Sequence, residues 1–517
     1  MNDEIQGEEA IQDGASTKVS NLREKAKKYT QALKGNPEAK ACAYGSAAQG
    51  VIVGAGVLMA IPLLKLAEAS VCGEPLPDEC TKRVYGFRPS SLLTLMSTIS
   101  GFLACVILPT VGGMVDATPY RRGIALMTGI ILVIEHFVLI IVSRNTWFFC
   151  SLLLTISSIF YFTHVTLIYA YIPELTDNEE DLTTYNSIFV LVRSFIVIPY
   201  YIITGLAFYL VVGLDGIGTL DFEQNIARVS TCVESIFLIF LYFMTFYKGL
   251  EARPPKQKAA ESPLKSILKI KETASEIYTR YPALYWYLVT LLPYSNSVAS
   301  MASISVTFVT SFLKAETWLI GLMAIMFGVC NIIGSRVHPF IAKRINLLND
   351  IKLNMVLWIV LCITSGLTVT GPERMNLFLV FACLFGFIFG WAIPSMRTVY
   401  FCLMPKGRES QFAGIYMFFS TGLIWLPPLL FTILNEAGLR MNYILLLLFV
   451  PFVISLLLLT KVGSFEDAVA NVKKQEQMDE EMEEKRLAEM QEQGINGDGI
   501  HEDNGPVHED SLESKTE

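Results

Sequence analysis

Charge is what this sequence has least of. Of 517 residues, 17% are Asp, Glu, Lys or Arg while 52% are hydrophobic; soluble globular chains carry nearer a quarter charged. That shortage argues against a water-soluble enzyme. The short motifs of chemistry are missing too: there is no Walker loop, no GxSxG elbow, no dinucleotide fingerprint and no CxxC or HExxH metal spacing. ATP-driven transport, hydrolysis and metal catalysis therefore lose support, and neither a cofactor nor a metal is expected. Residues 1–15 are polar and acidic, without the basic-then-apolar order of a signal peptide, so the first apolar span is expected to direct insertion.

The remaining charge is unevenly placed. The formal net charge is -8, but residues 464–517 hold 17 acidic and 5 basic side chains, so everything before them is net +4. The body of the chain, 43–463, is sparingly charged and slightly basic, which is membrane composition. The acidic tail contains MDEEMEEKRLAEMQEQ, able to form a charged helix, before a Gly, Asp and Glu-rich end. Its composition favours disorder.

Apolar runs long enough to cross a ~30 Å hydrocarbon core, roughly 20 residues, number twelve. They lie near 43–66, 90–114, 122–143, 146–172, 182–213, 228–248, 283–312, 317–337, 351–370, 374–403, 409–434 and 439–461. The long polar interruption, Glu251 to Tyr281, divides them six and six. The expected organisation is a tail (1–42), a six-helix bundle (43–248), a linker (249–282), a second six-helix bundle (283–461) and the acidic tail (462–517). Lys and Arg concentrate in the first tail, in the linker, and in loops at Arg121 and Arg122, Lys343 and Arg344, and Lys406 and Arg408. The positive-inside rule then puts both termini and the linker in the cytosol. Within the linker, Leu264, Ile267, Leu268, Ala274 and Ile277 recur at helical spacing between lysines, as an amphipathic helix on the membrane surface would.

Eight of ten cysteines sit in or beside spans and read as small apolar filler. Cys72 and Cys80 instead share the first non-cytosolic loop, where a disulfide is expected. The first span contains Gly45, Gly50 and Gly54, suited to close helix contact, with Gln49 among them as a cavity candidate.

An unpaired charge at a span centre costs at least ~2.5 kcal/mol, so ionisable residues inside spans point to a pathway. They are Glu135 and His136 in the third span, His164 in the fourth, Arg193 in the fifth, Glu234 in the sixth and Arg397 in the tenth. The arginines are the strongest candidates, since an arginine stays charged and must find a partner or an anionic ligand. Arg397 follows Pro394, which can break the helix and free carbonyls beside the guanidinium. Glu135, His136 and Glu234 are candidate proton-coupling groups.

Two halves of six spans resemble the major facilitator superfamily, in which one half rocks against the other. After the second span, Gly112-Gly-Met-Val-Asp116-Ala-Thr-Pro-Tyr-Arg121-Arg122 resembles that superfamily's loop of Gly, Asp and a basic pair, a candidate conformational latch. The matching loop of the second half, Gly334-Ser-Arg336-Val-His338 through Lys343-Arg344, lacks the acid.

A longer match begins at Arg397. The stretch Arg397-Thr-Val-Tyr-Phe-Cys-Leu-Met-Pro405-Lys-Gly407-Arg408-Glu409-Ser-Gln-Phe412-Ala-Gly414-Ile-Tyr416 resembles the autophagy-related vacuolar amino-acid effluxers of that superfamily. Tyr169-Ala-Tyr-Ile-Pro173-Glu174-Leu175 is similar to the same family's Asn-Ala-x-Leu-Pro-Glu-Leu, with tyrosine in place of asparagine. Pro173-Glu-Leu-Thr-Asp177 with Asn186 and Arg193 is also similar to the sugar-cation symporters.

These resemblances imply an all-α integral membrane protein with the twelve-helix major facilitator fold. The implied activity is secondary transport of a small polar solute by alternating access, with amino-acid efflux from a vacuole or lysosome-like compartment as the leading form. A sugar-cation symporter, and a nontransporting sensor or lipid scramblase, are the alternatives. In the leading form Arg397 binds or gates near the midplane and Arg193 pairs across the cavity. The expected partners are the solute, coupled protons and the lipid bilayer, with no nucleic acid. The chain is expected to be a monomer in a vacuolar membrane, the plasma membrane being the other location.

Overall fold

The structure, a computed structural model, describes residues 33–492 apart from 75–79, 81, 118, 177–178, 247–248, 253–262 and 406–408. Helices and their connections make up the fold. Among the described residues the one β feature is the bridge between Val84 and Phe87.

Six crossings form the first half. They are α1 (Pro37–Cys72), α2 (Leu92–Ala117), α3 (Arg121–Val138), α4 (Trp147–Tyr169), the pair α5 (Glu179–Phe195) and α6 (Val197–Val211), and α7 (Leu220–Phe246). The linker forms α8 (Pro263–Arg280). The second half holds α9 (Pro282–Thr307), α10 (Thr317–Ile345), α11 (Leu347–Thr368) and α12 (Met375–Leu403), then the pairs α13 (Glu409–Thr421) with α14 (Leu426–Glu436) and α15 (Met441–Leu447) with α16 (Phe449–Leu459). A last helix, α17, covers Phe465–Glu492.

Eleven of these crossings are long and apolar enough to span a membrane on composition alone. The twelfth is α9, whose Thr290, Asn296, Ser297 and Ser300 lower its hydropathy. It tolerates them because Tyr287, Leu291, Tyr294 and Ile304 on the same helix are buried within protein and not in lipid. Large apolar side chains such as Ile202, Leu206, Leu210, Ile236 and Phe240 are exposed on α6 and α7, facing where lipid would lie.

Three crossings are broken, and each restarts with proline in its first turn: Pro199 in α6, Pro427 and Pro428 in α14, Pro451 in α16. Proline lacks an N–H and fits the first turn, where that donor is unused. Pro394, where the sequence suggested a break, lies inside a continuous α12 and its carbonyl accepts a bond from Thr398 Oγ1 at 2.8 Å.

Other expectations also shift. The stretches 112–117 and 334–344, read as loops, are helical ends of α2 and α10. The linker helix forms, but it is seated against α2, α9 and α13 with Ile277 fully buried, so it touches both halves. The acidic tail is helical from Phe465 to Glu492, because Ala468 and Val472 are buried against the second half; residues 493–517 lie outside the described part.

The first span's glycines do allow close approach: a Cβ on Gly50 would collide with the Arg193 carbonyl oxygen. Cys72 and Cys80 are joined by a disulfide with Cα atoms 6.0 Å apart.

Candidate functional site

The two intramembrane arginines come from opposite halves and meet at one tyrosine. Arg193 lies in the last turn of α5, Arg397 about two turns before the end of α12, and Tyr169 is the last residue of α4. The Tyr169 hydroxyl lies near enough to both guanidiniums to interact electrostatically with each. Its own proton points to Gln49 Oε1, 3.4 Å away on α1. Tyr161, two turns before Tyr169, accepts from Arg193 Nη2 at 3.5 Å. On the other side Tyr416 of α13 lies in range of Arg397 and packs on Tyr400 at 4.4 Å between ring centroids.

Arg193, Arg397, Tyr161, Tyr169 and Tyr416 each keep part of their surface accessible although they converge between the halves. They form the candidate solute site, here termed the cavity. Among the described residues, no ion pair joins a carboxylate to either guanidinium. Six residues of α-helix span about 9 Å, so Arg397 lies nearer the linker face of the bundle than the midplane expected from sequence.

His164 does not belong to this cavity. It is fully buried between α3, α4 and α7, with Nδ1 3.0 Å from Thr128 Oγ1 and 3.1 Å from the Ala125 carbonyl, and its ring against Tyr242. The sequence showed a histidine in a span and could not show that its face points into the first half's own core.

A second polar cluster sits inside the first half. His136 Nδ1 is 2.7 Å from the Leu132 carbonyl, which can only accept, so Nδ1 carries hydrogen. The other nitrogen, Nε2, is 3.2 Å from Glu234 Oε1 on α7, in poorly aligned contact. A neutral imidazole and a carboxylate face each other there as two acceptors, so a proton taken up by either group relieves the contact. Glu135 is buried nearby on α3, beside Ser157, and its Oε2 has no hydrogen-bond partner among the described residues.

The basic pair after α2 is engaged. Arg121 is buried, bonds both oxygens of Glu174 at 2.8 and 3.0 Å, and lies over the Tyr171 ring. Arg122 donates to the Phe246 carbonyl at 3.1 Å. Glu174 was a motif residue with no assigned partner; its partner is the candidate latch arginine. Of the other motif positions, Gly407 and Arg408 lie outside the described residues, as do the side chains of Asp116, Pro173 and Glu409 and the surroundings of Gly112 and Gly414. Pro405 and Phe412 are buried. In the second half the missing acid is supplied from further along: Asp350 is fully buried, 2.9 Å from His338 Nδ1, and accepts from Trp391 Nε1 at 2.9 Å and Ser395 Oγ at 2.7 Å.

The face opposite the linker is sealed by polar contacts between halves. Glu223, paired with Lys65 of its own half at 2.6 Å, reaches the second half by accepting from Thr317 Oγ1 at the start of α10. Glu68 pairs with Lys314 at 3.5 Å. Glu436 accepts from the Arg88 backbone N–H and from Ser91 Oγ, both at 2.7 Å. Asn435 donates to Ser90 and Ser91, and Thr432 to Thr94.

The chain matches the family model described as "Vacuole effluxer Atg22 like" over residues 63–190 and 202–467. No curated protein matches it in sequence. In fold it is similar to the inward-open xylose transporter XylE from E. coli, at 12% identity with a TM-score of 0.57 over 82% of this chain and 95% of that one. It is also similar to a point mutant of the nucleoside transporter NupG, at 14% identity and TM-score 0.55 over 82% and 100%. A point mutant of the E. coli fucose:proton symporter FucP gives 11% identity and TM-score 0.51 over 82% and 98%.

Proposed function

The chain belongs to the Atg22-like vacuole effluxer family and is a membrane transporter of the major facilitator fold, not an enzyme; on that premise we propose that it carries amino acids out of a vacuole or lysosome-like compartment by alternating access. The observation that carries this reading is the convergence of Arg193 and Arg397, one from each half, on Tyr169. A solute held by both guanidiniums couples its own binding to the relative position of the halves, which rocking-half transport requires. The cation pair suits the carboxylate that every amino acid carries.

With the linker face in the cytosol, as the Lys and Arg distribution supports, the sealed contacts around Glu223 and Glu436 are the luminal gate. The cavity then belongs to the cytosol-facing half of the cycle. His136 and Glu234 are the proposed proton site, because two buried acceptors in contact can bind a proton between them and release it when the helices around them move. Two proteins of similar fold, a D-xylose-proton symporter and the fucose:proton symporter, couple their solutes to protons, which supports this assignment. Arg121 with Glu174, and His338 with Asp350, are the proposed pivots that hold helix ends within each half.

The test is uptake of radiolabelled amino acids into proteoliposomes, with and without a pH gradient. Saturable flux stimulated by the gradient is expected. Absence of flux for every amino acid would remove the cargo assignment.

A further inference from the structure

We infer that the cargo of this cavity carries a net negative charge, as an acidic amino acid or a dicarboxylate does, and that Tyr169 sets this preference by occupying the anion's place in the empty site. The inference rests on the transport reading above and narrows its substrate class.

Two guanidiniums enter the cavity from α5 and α12, and the groups that meet them are the hydroxyls of Tyr161, Tyr169 and Tyr416. A hydroxyl oxygen offers a partial charge, where a buried arginine is normally met by a carboxylate or another full anion. Elsewhere in this molecule that rule is kept: buried Arg121 has Glu174 and partly buried Lys65 has Glu223. The cavity presents cations without acids among the described residues.

A zwitterionic solute such as leucine does not correct this. Its carboxylate offsets one guanidinium, but its ammonium adds a positive charge that meets no acidic partner among the described residues of the cavity. A solute with two carboxylates satisfies both guanidiniums, and its second carboxylate can also accept from the tyrosine hydroxyls. Tyr169 is the residue an arriving anion must compete with, because its hydroxyl lies beside both guanidiniums while its proton is directed to Gln49 Oε1 at 3.4 Å. It is a positioning residue for specificity, at a place where the family motif has asparagine.

The experiment uses the full chain in proteoliposomes and compares counterflow of labelled succinate, glutamate and leucine. In parallel, thermal unfolding of the purified protein is followed with each solute. The expected result is exchange of succinate and glutamate several-fold faster than leucine, with unfolding temperature raised by the two anions. Arg397→Gln loses both responses and Arg397→Lys keeps a measurable part of each. Tyr169→Phe lowers the apparent KM for succinate at least threefold, since the competing oxygen is gone; a purely structural role would lower kcat instead. Leucine exchanging as fast as both anions overturns the charge inference and leaves the transport reading standing. No exchange and no thermal response to either anion overturns both. A thermal response to the anions, lost in Arg397→Gln but without exchange of any solute, supports the charge inference and counts against transport.

Discussion

The two ends of the bundle handle charge in opposite ways. On the face away from the linker, the acids that cross between halves have partners: Glu223 has Lys65 and Thr317, Glu68 has Lys314, and Glu436 has Arg88 and Ser91. Toward the linker face, Arg193 and Arg397 approach from the two halves and, among the described residues, meet tyrosine hydroxyls and no carboxylate. Compensated charge holds two surfaces together, and uncompensated charge leaves a place for something else. The contrast separates a gate from a binding site without reference to any ligand.

The comparison can be broken at either end. The largest effect is expected from Arg397→Gln, which removes a cation with no substitute in the cavity: solute flux should fall at least ~100-fold, in line with the loss of a charge-assisted bond in a low-dielectric site. Flux within a few-fold of the wild type would mean that the arginines are not part of the pathway. At the other end, Glu223→Gln weakens the Lys65 pair and the Thr317 contact together. A partly buried pair of this kind is worth about 1–2 kcal/mol, and every 1.4 kcal/mol is tenfold. Accessibility of a cysteine introduced at Ile320, buried one turn further along α10, to an impermeant maleimide should therefore rise about tenfold, and unchanged labelling would show that this face is held shut by something else.

A smaller change tests the cluster that belongs to neither end. His136→Gln removes one partner of the proposed proton site while leaving a polar side chain that can still meet Glu234. Basal exchange should stay within a few-fold while stimulation by a pH gradient disappears; retained stimulation would take the proton site away from this pair. The smallest effect is expected from removing residues 479–517, which leaves the docked part of α17 with Ala468 and Val472 in place. Flux should change less than twofold. A larger loss would favour the tail as an output of a sensor.

How much of this was legible beforehand differs by residue type. Twelve crossings and a six-plus-six division follow from apolar run lengths, and Arg193 and Arg397 stand out because a charge in such a run is conspicuous. Tyr161 and Tyr169 do not stand out, since tyrosine in an apolar span reads as packing until its hydroxyl is seen beside a guanidinium. His164 was conspicuous and still misleading, because rotation of α4 decides which face it joins. Asp350 sits where a polar turn meets a span and reads as a loop acid; its burial comes from α10 and α12 folding over it. Prolines occur in many of the spans, but position within the turn decides: Pro199, Pro427 and Pro451 restart helices, whereas Pro62, Pro293, Pro339 and Pro394 sit within one.

The most direct test of the uncompensated cation pair is protection of a cysteine placed at Tyr416, in a background without the other free cysteines, against a water-soluble maleimide. Glutamate is expected to slow labelling at least tenfold, and to have no effect once Arg397→Gln is added. Labelling that ignores glutamate, or protection that survives Arg397→Gln, would contradict the account.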